Sequence, residues 1–269
     1  MELFPPPPSG TAPQLQGATL VVVAVAQGNV GELSMDVLIT NTGATLAGVL
    51  EDPNVLPVAG NDPHDMRAPG TLSTALELFE LPASPSRRAV GNVDGPVFLL
   101  QQRAPVVLGR QAEFAENVVE WAQSQGIVQL LVLSGLDSTL RRDRQIMGDP
   151  MRYLAADAPG LAAACESAGV TQLEEEYLSE ERVAHGALPP WPLLAGAARR
   201  GCAAALLGCF AAEGDNVPHA LRVAGVALQL LGRSGGGSGE ASTPGGSDLR
   251  LPCSFAALYG RASGMDELA

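Results

Sequence analysis

Apolar positions in this chain occur both as short unbroken runs and as longer periodic ones. Residues 19–26 (TLVVVAVA) and 127–133 (IVQLLVL) are short and almost wholly apolar. Such runs predict strands buried on both faces, as at the centre of a parallel sheet. Residues 111–125 place Phe114, Val118 and Trp121 at i, i+4 and i+7 before Gly126, which predicts an amphipathic helix. Residues 217–231 carry Val217, Leu221, Ala224, Leu228 and Leu231 at helical spacing, and Val223, Val226, Ala227 and Leu230 widen the stripe. A helix this apolar is either central to the core or covered by a partner. Ala224 is the candidate contact for the second case.

The organising unit is the first run together with the turn and helix after it. The strand leads into Gln27-Gly28-Asn29-Val30-Gly31-Glu32, then a mostly apolar segment to residue 42. Asn29 is placed to cap a helix and Glu32 to reach back to the cap amide, a relaxed capping box. Strand, glycine turn and buried helix make the first half of a βαβ crossover. Phosphate binders use the same arrangement, but Gly28-x-x-Gly31 is neither a dinucleotide fingerprint nor a P-loop. A P-loop needs a lysine, and all sixteen basic residues here are arginines. The favoured reading is that the glycines allow positive φ and close helix–strand packing.

Further along, residues 45–50, 55–59, 72–81, 96–101 and 170–173 predict strands, with 72–81 exposed or at an edge. Residues 159–168 predict a short helix, and the Ala/Leu-rich 193–212 a long one with Cys202 and Cys209 on one face. Asp215 or Asn216 caps the last helix, with Pro218 in its first turn, where a missing N–H is tolerated. Residues 1–13 read as a disordered proline-rich tail, 14–260 as one domain interrupted by a flexible Gly/Ser-rich insertion at 234–247, and 261–269 as a loose tail. Helix paired with apolar strand points to an α/β fold, a three-layer α/β/α sandwich on a mostly parallel sheet.

A formal charge of −13 argues against nucleic-acid and anionic-membrane partners. Four cysteines without a C-x-x-C pair, and three scattered histidines, predict reduced core thiols and no structural metal. No signal-peptide pattern opens the chain, and no apolar run approaches the ~20 residues of a spanning helix, so a soluble intracellular protein is expected.

Candidate chemistry is sparse. Arg141, Arg142 and Arg144 form the one dense basic stretch, after a strand's carboxyl end, and are candidate contacts for an acidic partner. Residues 174–181 form an acidic run, read as a solvated segment. Ser134, Asp215 and His219 have the residue types of a hydrolytic triad, but no nucleophile elbow supports them, and Asp215 is already explained as a cap.

Several segments in order resemble the PAC2 family of proteasome assembly chaperones. They are Gln27 to Asp36, including Gly28, Asn29, Val30 and Gly31; Val58 to Pro63, including Asn61; Trp121 with 128–134; Pro150 to Leu154; and Glu213-Gly214-Asp215-Asn216-Val217-Pro218. The resemblance spans about residues 15–260. It implies no enzymatic activity and no cofactor, and a heterodimer with proteasome assembly chaperone 1. It further implies binding to 20S proteasome α-subunits that promotes α-ring formation, and a location in cytoplasm and nucleus. The alternative from another class is a nucleoside or phosphate-ester phosphorylase or hydrolase, since such folds host both.

The insertion at 234–247 lacks aromatic and branched aliphatic residues, so it cannot bury enough surface to offset its ordering. Shortening it to about four residues should leave the melting temperature within a few degrees. A large loss of folded protein would show that it packs.

Overall fold

The computed structural model describes residues 1–6, 10–23, 25–65, 71–83, 90–91, 93–233 and 249–257, except the side chains of residues 144, 181 and 183. In chain order the strands and α-helices begin β1 (Glu2–Phe4), β2 (Thr19–Val23), α1 (Val30–Thr42), β3 (Thr45–Glu51), β4 (Ala59–Asn61), β5 (Leu72–Thr74), β6 (Leu76–Glu80) and β7 (Val97–Gln102). They continue with α2 (Gln111–Ser124), β8 (Gln129–Asp137), α3 (Asp143–Ile146), β9 (Met151–Ala156), α4 (Pro159–Ser167) and β10 (Thr171–Gln172). The last are α5 (Glu175–His185), α6 (Trp191–Arg199), β11 (Ala203–Ala211) and α7 (Val217–Leu230).

Nine strands form one sheet in the order β1-β3-β6-β7-β2-β8-β11-β9-β10, and β4 pairs with β5 apart from it. The centre, β7-β2-β8-β11, is parallel. On one flank β6, β3 and β1 continue antiparallel; on the other β9 runs antiparallel to β11. Successive residues of the central strands feed two cores. Val21, Leu99, Leu131 and Leu207 meet α1, α4 and α7, whereas Leu20, Leu100, Val132 and Leu206 meet α2, α6 and the Tyr177–Leu178 step of α5. With both faces covered, every position of β2 is buried, which is why its sequence shows no polar alternation. Each fully buried aliphatic side chain contributes about 1.5–3 kcal/mol. The α/β/α sandwich is therefore as the apolar runs imply, with antiparallel flanks added to the parallel centre.

Several local expectations are corrected. Residues 193–212 are not one helix: α6 stops at Arg199, Gly201 turns at φ 61°, and β11 follows. An unbroken Ala/Leu run fits either period, and the slot between β8 and β9 demands a strand. Cys202 and Cys209 consequently face opposite cores. The acidic run is mostly α5, with Tyr177 and Leu178 buried beneath it. β6 is not an edge strand, and its Glu77 is buried between β3 and β7. β9 is a strand where no apolar run predicts one, held by its pairing with β11, and Val55 makes only an isolated bridge to Val106. Residues 2–4 are not disordered: they pair with β3, giving its outer edge hydrogen-bond partners. Residues 234–247 and 261–269 lie outside the described residues.

α1 is buried along nearly its whole length, with α7 packed beside it. Ala224 is 0% exposed in this packing, so the expected partner contact is a core position with no surface to offer. Ala224→Glu should cost about 3 kcal/mol or more and leave little folded protein. Gln229→Glu, on the exposed side of the same helix, should leave the thermal unfolding midpoint within about 2 °C. Circular-dichroism melts distinguish the two, and a well-folded Ala224→Glu protein would contradict this packing.

Candidate functional site

Both family-motif turns meet at the carboxyl ends of the parallel strands, the end where open α/β sheets carry their ligands. Gly28 (φ 61°) and Asn29 (φ 53°) are both left-handed and swing the chain from β2 into α1. Asn29 accepts no helix amide through its side chain, so the expected capping box does not form. Its left-handed backbone is used instead, a conformation asparagine tolerates. The Asn216 side chain reaches across from the β11–α7 turn: its Nδ2 donates to Gly28 O at 3.0 Å and to Ala212 O at 2.8 Å. A Cβ on Gly28 would lie 2.4 Å from that nitrogen, and one on Gly31 would lie 2.6 Å from Leu133 O of β8. Gln27 Nε2 donates to Glu213 Oε1 at 3.3 Å, and Asp215 Oδ1 accepts from Val217 N. The glycines serve close packing, and Asn216 fills the space over Gly28. Val30 is buried at the start of α1, Gly214 lies in the β11–α7 turn, and Pro218 occupies the first turn of α7. Of the remaining motif positions, Asn61 ends β4 away from this joint, and Pro63 O accepts from Ser254 N, tying the 249–257 return to that loop.

Beside the joint, sequence reading missed a buried polar cluster. Arg103 Nη2 lies 3.0 Å from Asp36 and its Nε 3.2 Å from Glu77, while Gln101 Nε2 donates to Asp36 at 2.8 Å. His64 Nδ1 is 3.1 Å from Thr40 Oγ1 and its ring meets Phe79 edge-on. The available signal was two carboxylates, Glu32 and Asp36, one turn apart in an otherwise apolar helix. Burial works against the Arg103 charge, but Asp36 and Glu77 outweigh it and raise its pKa. Burial, helped by Arg103 and opposed by Asp36, lowers that of His64. Burial raises the Glu32 carboxyl to about 8, with nearby Asp36 adding to the shift. Its Oε2 is buried without a partner.

The arginine stretch forms a second group. β8 ends at Asp137, whose Oδ1 accepts from Thr139 N and Oγ1 and whose Oδ2 lies 3.0 Å from His185 Nε2. Arg142 pairs with Glu180, and buried Arg152 with Glu174 at 3.0 Å. Arg141 and Arg152 flank the Phe210 ring at 5.6 and 5.2 Å. The Arg144 side chain lies outside the described residues. The triad types are not assembled: Ser134 Oγ donates to Gly135 O, and His219 Nδ1 is buried without a partner. An apolar pocket between Phe114, Val118 and Leu193 holds about 10 Å³, no more than one water's space. Among the described residues no His/Cys/Asp/Glu group is placed to hold a metal, and no helix is long and apolar enough to cross a membrane.

Residues 23–233 match the model of the PAC2 family. The chain is 29% identical over 269 residues to proteasome assembly chaperone 2 of Danio rerio, covering 94% of this chain and 95% of that protein. It is 29% identical over 223 residues to the Homo sapiens protein of the same name, covering 78% and 80%. Among solved structures it is similar to Pyrococcus furiosus PbaA, an archaeal homolog of proteasome-assembly chaperone, with TM-score 0.58, 16% identity and coverage of 83% and 85%. It is also similar to PbaB of the same organism, an archaeal proteasome activator, with TM-score 0.57, 18% identity and coverage of 83% and 87%. At these identities the two structures support the fold alone.

The Glu32 shift has a testable sign. The unfolded chain releases this proton near 4.5 and the folded chain near 8, so its stabilising contribution is full below 4.5 and falls as pH rises to 8. Glu32→Gln keeps the shape without the titration. Between pH about 5 and about 9 the variant should gain on the parent by on the order of a few kcal/mol in denaturant unfolding. A difference that is flat with pH would mean that the carboxyl titrates normally.

Proposed function

Because the chain belongs to the PAC2 family, we propose that it is a non-enzymatic chaperone of 20S proteasome assembly, working as a heterodimer with proteasome assembly chaperone 1 to promote α-ring formation. The observation that carries this is the family match over residues 23–233, which takes in β7, β8 and β11 of the parallel core and both turns of the Gly28–Asn216 joint. Relatives matching nearly end to end carry the name proteasome assembly chaperone 2. The surface supports a binding role. Leu108 and Met147 are 91% and 93% exposed, and both lie in loops at the carboxyl ends of the parallel strands. Apolar side chains held out at one rim suit partner contact. Ser134 and Asp215 bond within the fold, to Gly135 O and Val217 N, rather than to His219 as one reacting group. The proposal extends to a location of the heterodimer in cytoplasm and nucleus.

The test is co-production with proteasome assembly chaperone 1 of the same organism, followed by size exclusion and by capture from cells probed for proteasome α-subunits. The expected result is a one-to-one complex that retains α-subunits, with the single chain prone to self-association. A monodisperse single chain that ignores the sister subunit and captures no α-subunit would overturn the proposal.

A further inference from the structure

Helix α5 is attached to the body in two different ways. Its amino-terminal half is anchored: Tyr177 is 0% exposed, its hydroxyl donates to Asp137 O at 2.8 Å, and its ring lies 4.9 Å from that of Phe210. Leu178 is buried beside it, and Glu174, preceding the helix, pairs with buried Arg152. Beyond Leu178 no described side chain of the helix enters either core. The described contacts there are polar: Glu180 with Arg142, Arg182 stacked 6.0 Å over Trp191, and His185 with Asp137. Arg142 and Glu180 are 54% and 41% exposed, so their pair is screened and weak. Segments held by few apolar contacts open at the low end of the local-stability range.

What this half covers is the arginine loop. Arg141 stacks on Phe210 and reaches Ser138 O through Nε at 3.4 Å, with no carboxylate partner among the described residues. Arg142 is its sequence neighbour. Asp143 in α3, and Asp149 paired with Arg222, are the carboxylates of the same loop, and Asp137 lies at its base. The group that nevertheless engages Arg142 is a glutamate from an acidic helix. That contact identifies the chemistry this surface accepts.

We propose that the carboxyl-terminal half of α5 is an internal occupant of a recognition surface for an acidic segment of another chain, with Glu180 seated on Arg142 where a partner carboxylate would bind. Pivoting about Tyr177, this half lifts and frees the Arg142 guanidinium for an incoming carboxylate, with Arg141 adding positive charge from the next position of the loop. The competition is a population shift: a partner gains only by the amount it engages the arginines better than Glu180 does. The inference rests on this surface alone and stands apart from the assembly role.

The experiment uses the whole chain and a fluorescein-labelled oligoglutamate, followed by anisotropy at low and high salt, with hydrogen exchange read on α5. Because its pair is largely exposed, Glu180→Gln leaves the fold intact, and it should bind the peptide about two- to fivefold tighter than the parent. Adding Arg142→Ser should remove that gain, Arg141→Ser should weaken binding in either background, and high salt should weaken every complex. In the parent, peptide should speed amide exchange over residues 180–185 and leave α2 unchanged. Three results each overturn the proposal: no gain from Glu180→Gln, a gain that survives Arg142→Ser, or peptide binding without faster exchange over residues 180–185.

Discussion

One carboxamide holds the carboxyl end of the parallel sheet together. The Asn216 Nδ2 spans the carbonyls of Gly28 and Ala212, so the turn leaving β2 and the turn leaving β11 are tied although 188 residues separate the bonded pair. Those carbonyls sit where chain direction reverses, and a typical hydrogen bond contributes about 0.5–1.5 kcal/mol. Glycine at 28 is required twice over, for its positive φ and because a side chain there would collide with the same nitrogen. With the two turns tied, α1 and α7 start side by side, and their packing closes one face of the sheet.

That packing forces charge into the interior. α1 is buried on almost every side, yet it carries Glu32 and Asp36 one turn apart. The structure treats the two differently. Asp36 receives Arg103 and Gln101, whereas Glu32 has one oxygen unpartnered and retains its proton into the neutral range. Two carboxylates one turn apart, of which only Asp36 meets the arginine, are tolerable when the other stays neutral. The fold is thereby made sensitive to alkaline pH at the carboxyl end of its parallel strands.

The second acidic element, α5, shows how a protein of net charge −13 can keep an arginine-rich loop. The deep arginine, Arg152, is matched by Glu174 and built into the body; the shallow one, Arg142, is matched by an exposed glutamate that solvent screens. Burial separates a structural ion pair from an exchangeable one, although both join the same two regions.

By itself the sequence determined the class of the fold, because strands buried on both faces need apolar runs, and residues 20–23 of β2 and 130–133 of β8 supply them. It also favoured a geometric role for Gly28 and Gly31, since the chain has no lysine with which to make the turn a P-loop. Tertiary structure alone decided the 193–212 region, where an Ala/Leu run satisfies helix and strand periods equally and only the gap between β8 and β9 chooses. It decided that Ala224 faces inward, because a wide apolar stripe does not say whether its cover is α1 or another chain. It also decided every pairing at the site: Asn216 with Gly28, Asp36 with Arg103, Glu180 with Arg142. Local periodicity carries no record of which distant residues the fold brings within hydrogen-bond reach.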